Sequence, residues 1–498
     1  MSKQGAVSYF LEIPLLAQVQ NLFSKVGFYE KLSTHRFQRR KRNAENIEDI
    51  YDGREYKKHF DNDGFLSNPN HISFVWNTDG VPVFHSSKFG IWPLYLAVNE
   101  LPYCQRFTKE NMVLAGRWFG DLKPIMELYL QPFHQSLSTL EIDGVPCTLP
   151  NKNIIHVRGM LLAGSADLPA RSLVLNMNNS NGNCGCAKCK QPGETLHVSA
   201  KGHVHVYPFQ TDNPSGPPRT HDETKNVHAR QAADLGKPVC GIKGPSWLSY
   251  LPSRGLKFRC HWKASELRSW LLFYSVPAMH GFLGEEYFQH YLLLVEATFL
   301  LLQDSISPEE LTKSERLFQH FCLMLGRLYH PRYELINVHS LLHLPEVVRD
   351  LGPLYCYSLF GFEGLNGNLL KLVHGTQQAQ MQIVNSVSVL QKLPEMAYSC
   401  LKEGTEAHNL YCSLSQNSSE NERSANQFFL LGSCYRIGPQ WKKRLNAAQK
   451  SALERLAGNN PLRFENDIDV FGRLLKGNEI FHSLEYKRTT KRNNYCVS

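Results

Sequence analysis

The sequence predicts a mixed α/β fold carrying a helical insertion, and three observations predict it. Strand-like segments run in series from His71. A helix-period stretch and a further apolar strand follow, ending at Asp167. From Trp262 the apolar spacing is helical through several consecutive segments.

In chain order, residues 1–70 read as a polar, helix-leaning lead-in, and Ile47–Phe60 is charged with few core positions. HISFVWNTDG places β-branched and aromatic residues ahead of a turn at Asp79-Gly80. Val81–Phe84, Gly90–Val98 and Asn111–Phe119 read as further strands of an antiparallel meander. Leu122–Leu140 repeats apolar residues at helical spacing. Ile154–Asp167 suits a buried strand, and Leu168-Pro169 then opens a helix with proline in its favoured first turn.

Residues 190–245 are rich in Gly, Pro, His, Asp and Thr and read as irregular. Their histidines (His203, His205, His221, His228) are more simply loop residues than ligands. Ala264–Met279 and Glu285–Leu302 read as helices. Ser307-Pro308-Glu309-Glu310 is a capping box opening a helix to about Tyr329. Glu334–Asp350 and Gly364–His374 continue the block. Ala407–Asn426 reads as a linker, and Gln427–Ser498 as a small α+β appendage with a helix at Ala447–Leu456.

The expected domains are the lead-in at 1–70, a first part of the α/β core with the Cys-x-x-Cys at 71–190 and an irregular and helical insertion at 191–335. A closing segment at 336–400, a linker at 401–426 and the appendage at 427–498 follow.

The chain has 498 residues, of which 42% are apolar, ample for a sizeable core. The net charge is +9, with basic runs at His35–Arg42 and Lys487–Arg492, so an acidic partner is expected. No stretch is long and apolar enough to span a bilayer, and no membrane partner is expected. The 13 cysteines are mostly isolated, which reads as reduced thiols with one cluster, Cys184, Cys186 and Cys189.

Two constellations carry chemistry. Cys186-x-x-Cys189 lets two thiolates reach one ion, and His339-x-x-x-His343 puts two imidazoles one helical turn apart. Together they make a Cys2His2 set of the structural zinc type, with Cys184 as a competing thiol. The histidine pair lacks the glutamate of a zinc-protease helix. Asp79, Asp167 and Glu363 are the second set. Hard carboxylate oxygens suit Mg2+ or Mn2+, and two such ions can act on a phosphodiester. Singly, aspartates at strand ends are common turn residues, and a glutamate in a helix's first turn is favoured by the macrodipole.

The stretches NTDGVPVFHSSKFGIWPLYLAVNELP, ENMVLAGRWFGDLKP, ADLPARSLVLNM, CGCAKCKQPGE, WKASELRSWLLFYSVP and NVHSLLHLPEVVRDLGPLYCYSLFGFEGLNGNLLKLVHGT form an ordered set. As a set the chain resembles the metazoan CACTA/EnSpm-type DDE transposases. The resemblance implies an RNase H-like mixed sheet interrupted by a helical insertion, and cut-and-paste DNA transposition. It matches Asp79, Asp167 and Glu363 to the acidic triad, with two Mg2+ or Mn2+ ions. It matches Cys186, Cys189, His339 and His343 to a zinc set that braces the insertion against the core. It also implies DNA as partner, a homo-oligomer and residence in the nucleus. Arg171, Lys188 and Lys371 are candidate phosphate contacts, though each one singly reads more simply as an exposed charge. Compared with that family, the segment between Leu248 and Trp262 is shortened. A catalytically inactive, zinc-braced DNA-binding or protein-interaction protein left from a transposon is the alternative.

Overall fold

The computed structural model describes residues 8–84, 89–179, 182–199, 202–220, 264–375, 378–402, 404–415, 429–431, 434–444, 467–476 and 479–482. These divide into two compact units, one ending at Ile383 and the other beginning at Val384.

The first unit is mixed α/β. Its strands are β1 (Tyr9–Glu12), β2 (His71–Thr78), β3 (Val81–Pro82), β4 (Gly90–Val98), β5 (Val113–Gly120), β6 (Val145–Thr148) and β7 (Ile154–Ser165). They form a seven-stranded sheet in the order β1-β5-β4-β2-β7-β6, with β3 paired to β4. β2, β4 and β5 are an antiparallel meander, as the sequence predicts, while β7 lies parallel beside β2. A parallel neighbour needs a crossover, and the chain between β5 and β7 supplies one in the helix Met126–Ile142.

Alternation along the strands divides the sheet into two faces. One carries Ile72, Phe74, Trp76, Trp92, Leu94 and Leu96. Against it pack Leu15, Val19 and Leu22 of the helix Leu15–Phe23, and Tyr129, Phe133 and Leu137 of the crossover helix. Trp76 lies on β7 where Gly164 leaves room: a Cβ there would stand 2.7 Å from its indole nitrogen. The other face carries Val75, Asn77, Tyr95 and Arg117.

Residues 8–70 depart from the polar lead-in expected. β1 hydrogen-bonds along β5, and Ile50, Tyr51 and Tyr56 are buried. The segment is fastened by charge: Arg106, fully buried, donates to the Asp49 carboxylate at 2.9 Å. Tyr355 Oη donates to the Glu48 carbonyl at 2.8 Å, and Arg54 Nε to Asp350 at 3.0 Å. So the lead-in and the chain just before Glu363 hold each other.

In the insertion, the helices Glu285–Leu301 and Pro308–Leu328 pack together. The Ser307 capping box is formed: its hydroxyl accepts from Glu310 N at 3.1 Å, and Ser307 N donates to the Glu310 carboxylate at 2.9 Å. Glu194–His197 and His203–Val206 form a hairpin inside the stretch expected to be irregular. His221, His228, the appendage helix expected at Ala447–Leu456 and the basic run Lys487–Arg492 lie outside the described residues.

In the second unit, Phe429–Leu431, Cys434–Arg444, Asp467–Lys476 and Glu479–His482 form an antiparallel four-stranded sheet. Ahead of it, Glu406–Ser415 is helical where a linker is expected. Among the described residues, no helix is long and apolar enough to cross a membrane.

Candidate functional site

Cys186 and Cys189 follow the helix Leu168–Val174, in a loop whose turn spacing aims both sulfurs inward. His339 ends the short helix Ile336–His339, and His343 ends the tighter 3-10 turn Ser340–His343. The histidine spacing was expected to lie on one regular helix. The helix tightens between them, and the two imidazoles still converge, with Nε2 atoms 3.1 Å apart. Cys186 Sγ lies 3.4 Å from His343 Nε2, and Cys189 Sγ lies 3.2 Å from His339 Nε2. One donor atom from each of the four side chains falls within 4.8 Å of every other, and all four residues are buried. Sulfurs and ring nitrogens around one tetrahedral ion are spaced in this way. The chemistry of the set therefore fits a closed, four-ligand zinc site. Cys184 stands apart, its Sγ 3.6 Å from the Lys190 carbonyl.

The hydrogen bond from Cys189, with those from both histidines, outweighs burial and holds the Cys186 thiol well below its usual range.

Side chains outside the ligand set build the pocket. The Tyr207 ring stacks on His339 with centroids 5.3 Å apart. Its hydroxyl accepts from Gly185 N at 3.0 Å and donates to the Gly182 carbonyl at 2.8 Å. Tyr207 N donates to the Glu334 carbonyl at 2.6 Å. One residue thus joins the cysteine loop to the histidine segment. Arg219 grips the loop from its other side, donating to the carbonyls of Cys184, Cys186 and Cys189 at 3.0, 3.3 and 3.2 Å. Gly216, at φ +68°, passes so close that a Cβ there would meet Cys189 Sγ at 3.0 Å. Sequence reasoning missed Tyr207, Gly216 and Arg219. No spacing rule marks a residue that acts on backbone carbonyls.

The acidic residues are placed by the sheet. Asn77 of β2 pairs with Ser165 of β7, and Asp79 and Asp167 each follow two residues later. Parallel neighbours lie about 4.8 Å apart, so the two aspartates leave the sheet side by side at one end. Asn77 Nδ2 donates to the Ser165 carbonyl at 2.7 Å. Asp79 accepts from Gly80 N at 2.7 Å. Asp167 caps the helix Leu168–Val174, accepting from Ala170 N at 2.8 Å.

Glu363 arrives on the helix Leu359–Leu370, which starts five residues before the expected Gly364 because Ser358 is its N-cap. Glu363 therefore sits in the second turn and does not gain the first-turn benefit of the dipole. The helix is pinned to the same sheet end. Ser165 Oγ donates to the Tyr357 carbonyl at 2.7 Å, and the Phe362 ring lies 6.2 Å from Tyr95 on β4. All three acids are partly exposed. Among the described residues, their oxygens do not form a set as tight as the cysteine–histidine one. Of the candidate phosphate contacts, Arg171 is buried, Lys188 is half-buried and Lys371 is exposed.

Residues 46–208 match the transposase family tnp2, and this match supports a transposase domain in the chain. It spans Asp79, Asp167, Cys186 and Cys189, and ends before the histidine pair and Glu363. A comparison with curated proteins returned no match.

Proposed function

We propose that the chain is a DDE-type DNA transposase, or a transposon-derived protein with that machinery, with Asp79, Asp167 and Glu363 as its acidic triad. The observation that carries the reading is the register of β2 and β7, which brings Asp79 and Asp167 to equivalent places beyond adjacent parallel strands. The tnp2 match covers both residues. The meander, crossover helix and parallel fourth strand support an RNase H-like core.

Two divalent cations, Mg2+ or Mn2+, would supply activation of the attacking oxygen and stabilisation of the leaving oxygen. The carboxylates fit such hard ions. The chain's own part is positional. β2 and β7 hold two carboxylates in register, and the Ser165–Tyr357 bond fixes the entry of the helix bearing the third. In the reaction, water would hydrolyse a phosphodiester at an element end, releasing a 3′-hydroxyl and a 5′-phosphate. That hydroxyl would attack a target phosphodiester, join its 5′-phosphate and release a target 3′-hydroxyl.

Cys186, Cys189, His339 and His343 would hold a structural zinc. With no open ligand position it would serve as a brace between the cysteine loop and the segment leading to Glu363. DNA as partner, a homo-oligomeric state and nuclear residence belong to the same proposal, with the net charge of +9 in support of the first.

The test is nicking of plasmid DNA with Mn2+. The full chain is expected to nick, and Asp167→Ala to reduce the rate by about a hundred- to a thousandfold, the order seen when a transition-state electrostatic group is lost. Nicking that persists in Asp167→Ala would remove that residue from the triad.

A further inference from the structure

Arg117 lies in the middle of β5, opposite Leu11 of β1 and Pro93 of β4. It is fully buried, and none of its three guanidinium nitrogens has a hydrogen-bond partner. Two residues from Pro93, Tyr95 is also buried, and its hydroxyl has no partner either. Register places both on one face. Trp118 and Trp92 pair on the core side, so their neighbours Arg117 and Pro93 point to the other, as Tyr95 does. Tyr95 is in turn paired with Asn77, two residues before Asp79, and lies against Phe362, next to Glu363. The orphaned donors are therefore on the sheet face that carries the acidic residues.

A buried cation with no counter-ion is among the costliest placements in a fold. Burial draws the Arg117 guanidinium down to about 10, so it remains charged near neutrality. Burial also pushes the Tyr95 phenol up, so it remains a neutral donor. No carboxylate pairs with Arg117 among the described residues. Such a site asks for an anion from outside, and a guanidinium fork with an added hydroxyl donor matches phosphate oxygens.

We propose that Arg117 and Tyr95 form an anion site that takes a phosphate of the nucleic-acid backbone, beside the acidic residues. The nucleic-acid source rests on the transposase reading; the anion site does not. Both groups are closed from solvent, Tyr95 beneath Phe362, so the anion reaches them when that contact loosens. The anion then meets its donors where little water competes. Arg117 would hold the strand by a phosphate next to the one that reacts.

The experiment is thermal melting of the full chain in low-salt, phosphate-free buffer, with added inorganic phosphate in one arm and a short DNA duplex in the other. Wild type, Arg117→Met and Arg117→Lys are compared. Wild type is expected to gain several degrees with either ligand. Arg117→Met is expected to melt at or above wild type without ligand, because the unpaired charge is gone, and to lose most of the gain. Arg117→Lys should keep part of it. General salting-out by phosphate acts equally on all three and cancels in the comparison. A Met variant that melts well below wild type without ligand, or that keeps the full gain, overturns the site. An Arg117-dependent gain with phosphate but none with duplex overturns the nucleic-acid assignment alone. Neither readout depends on nicking, so failure of the triad is seen separately.

Discussion

Arg219 is the residue on which the cysteine loop turns. Its guanidinium gathers three carbonyls of the segment that bears Cys186 and Cys189. Without it those carbonyls lose their donor and the loop its shape. Replacing an outer residue that orients metal ligands typically costs ten- to hundredfold in affinity. Arg219→Ala is therefore expected to weaken zinc binding by about that factor while leaving one zinc per chain at saturation, read by chelator competition. An unchanged affinity would make the contact incidental. At this scale the convergence of the four side chains was legible, because Cys-x-x-Cys and His-x-x-x-His advertise themselves by spacing. Arg219 and Tyr207 were not, since each acts through backbone atoms far away in sequence. Arg117 was equally hidden: a charged residue in a strand gives no sign of which face it takes or of whether a partner awaits it.

At the scale of elements, a buried ion pair fastens the lead-in to the rest of the unit. Burial alone would raise the Asp49 carboxyl. Arg106 and the His35 hydrogen bond outweigh it and hold the group well below the usual carboxylate range. A depressed carboxylate stabilises the fold fully above its unfolded value near 4, and the contribution is lost as pH falls from there towards the folded value. Asp49→Asn should thus cost about 3–5 kcal/mol at pH 7, because Arg106 is left buried without its counter-charge. The variant should also lose less stability than wild type between about pH 4 and 2. Denaturant melts across that range check both, and equal stability at pH 7 would contradict the account. The strands β2, β4, β5 and β7, the crossover helix and the Ser307 cap were legible because each shows a clean period or cap, whereas the short strand β6 was not read. β1 was not, since four residues on a sheet edge carry no period. The start of the helix Leu359–Leu370 was hidden by Gly361, which reads as a breaker. It is needed because Phe107 lies 2.8 Å from where a Cβ would stand.

For the whole molecule, the central matter is how residues 150 positions apart come together. The sheet brings Asp79 and Asp167 into register through local strand pairing, which sequence pattern can foretell. Carrying the helix Leu359–Leu370 to the same sheet end is a long-range closure. Beside it stand the clustered Cys2His2 side chains, Tyr207 stacked on His339, and the lead-in bonds to Asp350 and Tyr355. Only the first of these had a sequence signal, through the ligands themselves. A metal that binds only the closed form would add its binding free energy to that closure. The direct measurement is zinc content of the purified full chain, wild type beside Cys186→Ser/His343→Ala. The account predicts one zinc per wild-type chain and none in the variant. Wild type free of zinc, or a variant that retains it, would contradict the claim that these four residues brace the site.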